Sequence, residues 1–354
     1  MRESEIIVQE WKRAVEQQKK FALATVVSVN GSAYRRSGAK MLIREDGKWF
    51  GAISGGCLEG DALRKARMVI YSQEPKLISY DTINEESAKS LGVGLGCEGI
   101  IEVLIEPDSG CLQNYFKQLQ ECLASDSELV IYMKLPADSQ SIERQYPLTT
   151  TDSWAQKATI NKHSFFVENA NEHWFVEFIP KAHKLYIFGA GYDAIPVAEL
   201  AASIGWKVIV NDDCAAHLIP KRFACAEDMV CGTPDLIIRD YPFDQQSAAL
   251  LISHNFEFDL KALHSLLPTE VPYIGILGPV KRANKLFDAL ADLEFEVTEV
   301  HKERIFAPVG LHIGAETPAE IAVSIISEIM SFFNNTTGKN LRQMKAPIHQ
   351  RQFV

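Results

Sequence analysis

Apolar residues recur at helical spacing at the start of the chain. Ile7, Trp11, Ala14 and Val15 share one face, which predicts an amphipathic helix over 4–20. An apolar, β-branched run over 21–29, with Thr25, Val26, Val27 and Val29, predicts a strand that Asn30-Gly31 ends as a turn. Shorter strands are expected over 41–44 and 48–53, on either side of an Asp46-Gly47 turn. The period then returns to helical, through Ala62, Leu63, Ala66, Val69 and Ile70. Strands are predicted over 76–80 and 100–105 and a helix over 111–123. The stretch 136–182 is rich in turn residues such as Pro136, Asp138 and Ser139, with short strands near 165–167 and 174–179, and reads as a connection between domains. Beyond it the pattern is regular. A strand over 185–188 precedes a helix with Ile195, Ala198, Leu200, Ala201 and Ile204 that ends at Gly205, and strands follow over 206–210, 248–252 and 273–277. In the last helix Thr317 is the expected N-cap, Pro318 the first helical residue and Glu320 the closing side of a capping box. The expected division is 1–135, a linker 136–182, a second domain 183–334, and a polar tail 335–354.

Composition narrows the classes. The 354 residues are enough for two domains of ordinary size, and a hydrophobic content of 47% supplies their cores. A formal net charge of −10 argues against a nucleic-acid surface. No apolar run is long enough to span a membrane, and the charged first ten residues lack a signal-peptide core. Seven cysteines without a Cys-x-x-Cys pair fit free thiols in a reducing cytoplasm.

Two of those cysteines lie in glycine-rich loops at strand ends. The first loop is Ser54-Gly55-Gly56-Cys57-Leu58-Glu59-Gly60, between a strand and a helix. There, glycines permit close backbone approach to a ligand, the helix N-terminus favours an anion, and a cysteine tends toward thiolate. The second loop runs from Gly92 to Gly99 and contains Gly96 and Cys97. The plain alternative for either is a tight turn with a small buried cysteine. Cys111, Cys122, Cys214, Cys225 and Cys231 lack such surroundings and read as structural. Arg35 and Arg36, in the polar loop before residue 40, are candidate phosphate partners, or else solvated charges. In the second half, Gly189-Ala190-Gly191-Tyr192-Asp193-Ala194 joins strand to helix, and Asp212 ends the next strand about 20 residues after Gly189, as in a dinucleotide-binding turn. His254 follows the next recognised strand, at the edge where open parallel sheets bind ligands.

Together these motifs resemble the xanthine dehydrogenase accessory family, XdhC/CoxI. They are Asn30-Gly31-Ser32 with Arg35-Arg36, the Cys57 loop, Leu95-Gly96-Cys97, Phe188-Gly189-Ala190-Gly191, Ser253-His254-Asn255, Tyr273 through Gly278, and Pro308 through Glu320. The resemblance implies an α/β chain, with an N-terminal XdhC/CoxI-type domain and a C-terminal Rossmann-like doubly wound parallel sheet. It also implies a non-catalytic maturation factor. Such a protein holds molybdenum cofactor for sulfuration by a cysteine desulfurase and delivers it to a molybdenum hydroxylase of the xanthine dehydrogenase type. The residues expected at the cofactor are Arg35, Arg36, Ser54, Gly55, Gly56, Cys57, Glu59, Gly96 and Cys97 in the first half, and Gly189, Gly191, Asp212 and His254 in the second. Cys57 and Cys97 are the expected molybdenum contacts. A homodimer is expected. The alternative is an NAD(P)-dependent oxidoreductase or a nucleotide-sensing Rossmann protein, which leaves the cysteine loops unexplained. The chain departs from the family pattern at Glu98, at Tyr192, in Ser253-His254-Asn255 and in Gly278-Pro279-Val280-Lys281.

Overall fold

The long apolar run near the start becomes the central strand of an antiparallel sheet. The computed structural model describes residues 2–31, 33–82, 99–135, 142–147, 152–169 and 172–343. The chain divides into two compact units, Met1–Lys181 and Ala182–Val354. The first unit opens with α1 (Arg2–Glu16), β1 (Phe21–Gly31), β2 (Lys40–Arg44), β3 (Trp49–Gly51), α2 (Glu59–Ser72), β4 (Lys76–Asp81), β5 (Gly99–Pro107) and α3 (Gly110–Ser125). Its five strands lie in the order β3-β2-β1-β5-β4, all antiparallel. β1 outlasts its expected turn: Asn30 pairs with Ile100 and Gly31 with Gly99, so backbone pairing with β5 overrides the turn preference of Asn-Gly.

The two-residue period of β1 divides it between two cores. Ala22, Ala24 and Val26 pack with Ala62, Ala66, Val69 and Ile70 of α2. Phe21 and Leu23 pack on the other face with Ile7, Trp11 and Ala14 of α1 and with Leu112, Phe116 and Leu119 of α3. Trp11 stacks on Phe116 at a centroid distance of 5.0 Å.

The unit continues with β6 (Leu129–Lys134), β7 (Glu143–Gln145), α4 (Ser153–Asn161), β8 (Phe165–Asn169) and β9 (Glu172–Ile179). These strands form a second antiparallel sheet, β7-β6-β9-β8. Buried charges tie it to the first. Lys40 on β2 pairs with Glu177 on β9, and Glu177 also accepts a hydrogen bond from Tyr115 at 3.2 Å. Arg144 on β7 pairs with Glu106 on β5 at 2.5 Å, and its guanidinium lies 4.9 Å from the centre of the Tyr115 ring. Each of these four charges thus has an opposite partner, the condition under which burial is tolerated.

The second unit contains β10 (Lys184–Phe188), α5 (Ala194–Ser203), β11 (Lys207–Asp212), β12 (Asp228–Cys231), α6 (Asp235–Asp240), β13 (Ser247–Leu251), α7 (Phe256–Leu266), β14 (Tyr273–Ile276), α8 (Val280–Asp292), α9 (Glu299–Glu303), β15 (Ile305–Phe306) and α10 (Pro318–Phe333). Six parallel strands lie in the order β12-β11-β10-β13-β14-β15. Leu185, Ile187 and Val210 pack on one face with α5 and α10, while Tyr186, Phe188 and Leu251 pack on the other with α7 and α8. Helices on both faces explain why these strands read as unbroken apolar runs. The strand order reverses between β10 and β13, which marks the crevice where such sheets take ligands. The chain is therefore an α/β protein with antiparallel N-terminal sheets and a C-terminal Rossmann-like parallel sheet. Among the described residues no helix is long and apolar enough to cross a membrane.

Candidate functional site

In the first unit the chain leaves β3 at Gly51, where φ is +81° and a Cβ would fall 2.4 Å from the Lys40 carbonyl oxygen, so only glycine fits. Glu3 on α1 then clamps two loops. One of its carboxylate oxygens accepts the Ala52 N–H at 3.1 Å, and the other pairs with Arg35. The arginine expected to face phosphate is thus engaged by an acid of the first helix.

Residues 52–58 form the loop before α2, and Ser54 organises them. Its backbone N–H donates to Glu59 at 2.8 Å and its hydroxyl donates to the second Glu59 oxygen. The same hydroxyl oxygen accepts the N–H groups of Gly56, at 3.2 Å, and Leu58, at 3.0 Å. Both Ser54 and Glu59 are buried. Burial acts to raise the Glu59 pKa, but the hydrogen bonds from Ser54 prevail and hold it below the ordinary glutamate value. Two N–H groups near the helix start therefore belong to Ser54, and the first turn of α2 carries Glu59 and Asp61. This end of α2 is acidic and partly satisfied, in contrast to the anion-favouring terminus expected from sequence.

The loop's open side lies at its glycines and cysteine. Gly56 has φ +112°, and nothing lies within 4 Å of where its Cβ would be. A Cβ on Gly55 would sit 3.2 Å from the Tyr34 ring, which is itself exposed. Cys57 is half-buried and packs beside the core under α2. Arg36 is exposed. Gly96, Cys97 and Glu98 lie outside the described residues. Among the described residues no cluster of three metal-ligating side chains occurs. Of the cysteines read as structural, Cys122 is buried, with its pKa raised chiefly by that burial, whereas Cys231 is exposed.

In the second unit the glycine turn, the acid and the histidine gather at the carboxyl edge of the parallel sheet. Gly189 has φ +114°, and a Cβ there would fall 2.3 Å from Ser253 Cα, so this glycine lets the ends of β10 and β13 pass. His254, at φ +58°, places Nε2 3.0 Å from Asp193, which bridges the two loops that flank the strand-order reversal. A Cβ on Gly191 would lie 3.9 Å from the His254 ring. Asp212 is buried and accepts hydrogen bonds from Ala190 N, Cys214 N and His217. Asn255 caps α7 through the N–H groups of Glu257 and Phe258. Arg282, near the start of α8, pairs with buried Asp259 at 2.7 Å.

Two family models match this chain. The XdhC Rossmann domain covers residues 185–329, and the XdhC and CoxI family covers 14–81. A Bacillus subtilis strain 168 protein, named as a probable subunit of xanthine dehydrogenase, is 31% identical over 329 residues, spanning 89% of this chain and 94% of that one. The chain belongs to the XdhC and CoxI family. A second relative of this XdhC-family chain is the molybdenum cofactor insertion chaperone PaoD of Escherichia coli K12, 26% identical over 313 residues, which span 87% of this chain and 82% of PaoD. A crystal structure described as a xanthine dehydrogenase from Bacillus halodurans superposes with a TM-score of 0.77 at 29% identity, covering 96% of this chain and 98% of that one.

Three features of this XdhC-family chain escaped the sequence reading: the Glu3 clamp, the Ser54–Glu59 knot and the Asp259–Arg282 pair. The knot alone had a local signal, an acid five residues after a serine on a glycine loop. The other two join residues far apart in sequence.

Proposed function

We propose that the protein is a maturation factor for molybdenum hydroxylases. In this reading it holds molybdenum cofactor while a cysteine desulfurase partner supplies sulfur, then hands the cofactor to a xanthine dehydrogenase-type client. The observation that carries it is Cys57, a half-buried thiol on a loop held by the Ser54–Glu59 knot, next to open backbone at Gly56. Family membership and the likeness to a molybdenum cofactor insertion chaperone support it.

The residues fit the group best at its sulfur end. Molybdenum cofactor, when bound, supplies an oxidisable metal held by sulfur, and a thiolate is a soft ligand suited to that metal. Gly55 and Gly56 leave backbone that a flat ring can approach, with Tyr34 alongside. The knot acts by fixing where Cys57 sits, through two hydrogen bonds onto Glu59 and two onto the Ser54 hydroxyl oxygen. Arg35 fits less well as a phosphate donor, because binding there means leaving Glu3. Cys97 belongs to the proposal as the second thiol, and Gly189, Gly191 and His254 remain the expected ligand edge of the second unit taken by itself. The expected setting is the cytoplasm, with the protein as a homodimer.

The test is molybdenum retention. Protein purified without oxygen from a host that makes the cofactor is expected to carry molybdenum and pterin, and Cys57→Ala to lose most of both. Unchanged retention in the folded variant removes Cys57 from the site.

A further inference from the structure

The acid of the second unit's glycine turn is already occupied by the protein's own groups. In sheets of this type the acid at the end of the second strand takes the hydroxyls of a dinucleotide ribose. A carboxylate offers about four lone-pair positions. Asp212 Oδ2 accepts the Ala190 N–H at 2.7 Å. Its Oδ1 accepts the Cys214 N–H at 2.8 Å and His217 Nδ1 at 3.1 Å. The carboxylate is acceptor-only, so Nδ1 carries the proton in this pair. Three positions are filled, and a ribose diol needs two.

The three partners are not equivalent. Ala190 and Cys214 donate backbone N–H groups, one from the glycine turn and one from the chain leaving β11. His217 is a side chain on the solvent side, 52% exposed against 8% for the Asp212 side chain. A turn brings it back over the strand end, with His217 N donating to Cys214 O at 3.0 Å and Ile219 N to His217 O at 2.9 Å. Its imidazole fills an acceptor position of Asp212 that a ribose hydroxyl would need.

We propose that His217 is a specificity-determining residue that closes the ribose subsite of the second unit. While its imidazole rests on Asp212, the crevice rejects nucleotides that present a free ribose diol, NAD among them. A Rossmann-like sheet is thereby kept from acting as a dinucleotide site by one side chain of its own second loop. This goes beyond the cofactor-holding role and does not depend on it, and its test contains no molybdenum.

ADP-ribose, which carries the diol, and inorganic pyrophosphate, which does not, are titrated calorimetrically into the full chain as wild type, His217→Ala, His217→Ser and His217→Gln, each shown folded by a thermal melt. His217→Ala and His217→Ser are expected to bind ADP-ribose roughly 10- to 100-fold more tightly than wild type, the worth of one hydrogen bond to a charged group. His217→Gln, which keeps an N–H donor, should stay near wild type, and pyrophosphate should not distinguish the proteins. Equal ADP-ribose affinity in wild type and the folded alanine and serine variants, whether measurable or not, overturns the proposal. So does micromolar binding by wild type, or an equal gain for pyrophosphate.

Discussion

Replacing Glu59 by alanine removes the acceptor on which the Cys57 loop is built. Two hydrogen bonds to a buried carboxylate are lost, and the Ser54 backbone N–H is left without its partner in a buried site. Hydrogen bonds to charged groups contribute about 1.5–3 kcal/mol each, so the cost of losing both comes to roughly 3–6 kcal/mol. For a unit of this size, 1 kcal/mol moves the melting temperature by about 2–4 °C, which predicts a fall of roughly 10 °C. Differential scanning calorimetry of the full chain is the assay. Glu59→Gln adds a pH signature. The folded-state pKa of Glu59 is depressed, so its contribution is complete above the unfolded value of about 4.3 and is lost as pH falls through the folded value. The gap between wild type and Glu59→Gln should therefore be full at neutral pH and narrow in acid as pH falls below the unfolded value toward the lower folded one. A melting change under about 1 °C for Glu59→Ala, or a gap that ignores pH, would refute the knot as the loop's support.

Glu177→Ala should destabilise the first unit by about 3–5 kcal/mol in urea unfolding, because Lys40 and the Tyr115 hydroxyl lose their buried partner. The double variant with Lys40→Met should recover part of that loss, and full additivity would contradict the pairing. Under native conditions a maleimide should label exposed Cys231 well before Cys122, whose thiol is buried and pushed toward the protonated form. Equal labelling rates, read by peptide mass mapping, would count against the burial of Cys122.

The fold was legible where one period ran uninterrupted. The capping box of Thr317 and Glu320, with Pro318 beside it, forms as read, because capping chemistry is local. The strands of the second unit were visible because both faces are covered, which makes them continuous apolar runs. Short elements such as β12 and α6 escaped, since four and six residues hold too little period to recognise. The site was less legible. Sequence placed Arg35 and Asp212 where ligands are expected, yet each is bound by groups of the chain itself, Glu3 and the Ala190–Cys214–His217 set, and Arg282 is likewise held by Asp259. A charge's partner is set by tertiary contacts, and for Glu3 and Asp259 these span 32 and 23 residues. Glycine needs were partly signalled: Gly189, read as part of a ligand-binding turn, is forced by close backbone approach and Gly56 opens onto free space, whereas Gly51, equally forced, was hidden inside an expected strand.

The proposed hold of the first unit on molybdenum cofactor runs through the Cys57 loop. Its most direct test is the molybdenum and pterin content of the full chain, purified anaerobically from a host that makes the cofactor, beside Cys57→Ala purified in parallel. Near-stoichiometric molybdenum and pterin are expected in the wild type, with a loss of most of both in the folded variant. Wild-type protein without molybdenum or pterin, from a host shown to be making the cofactor, would contradict it.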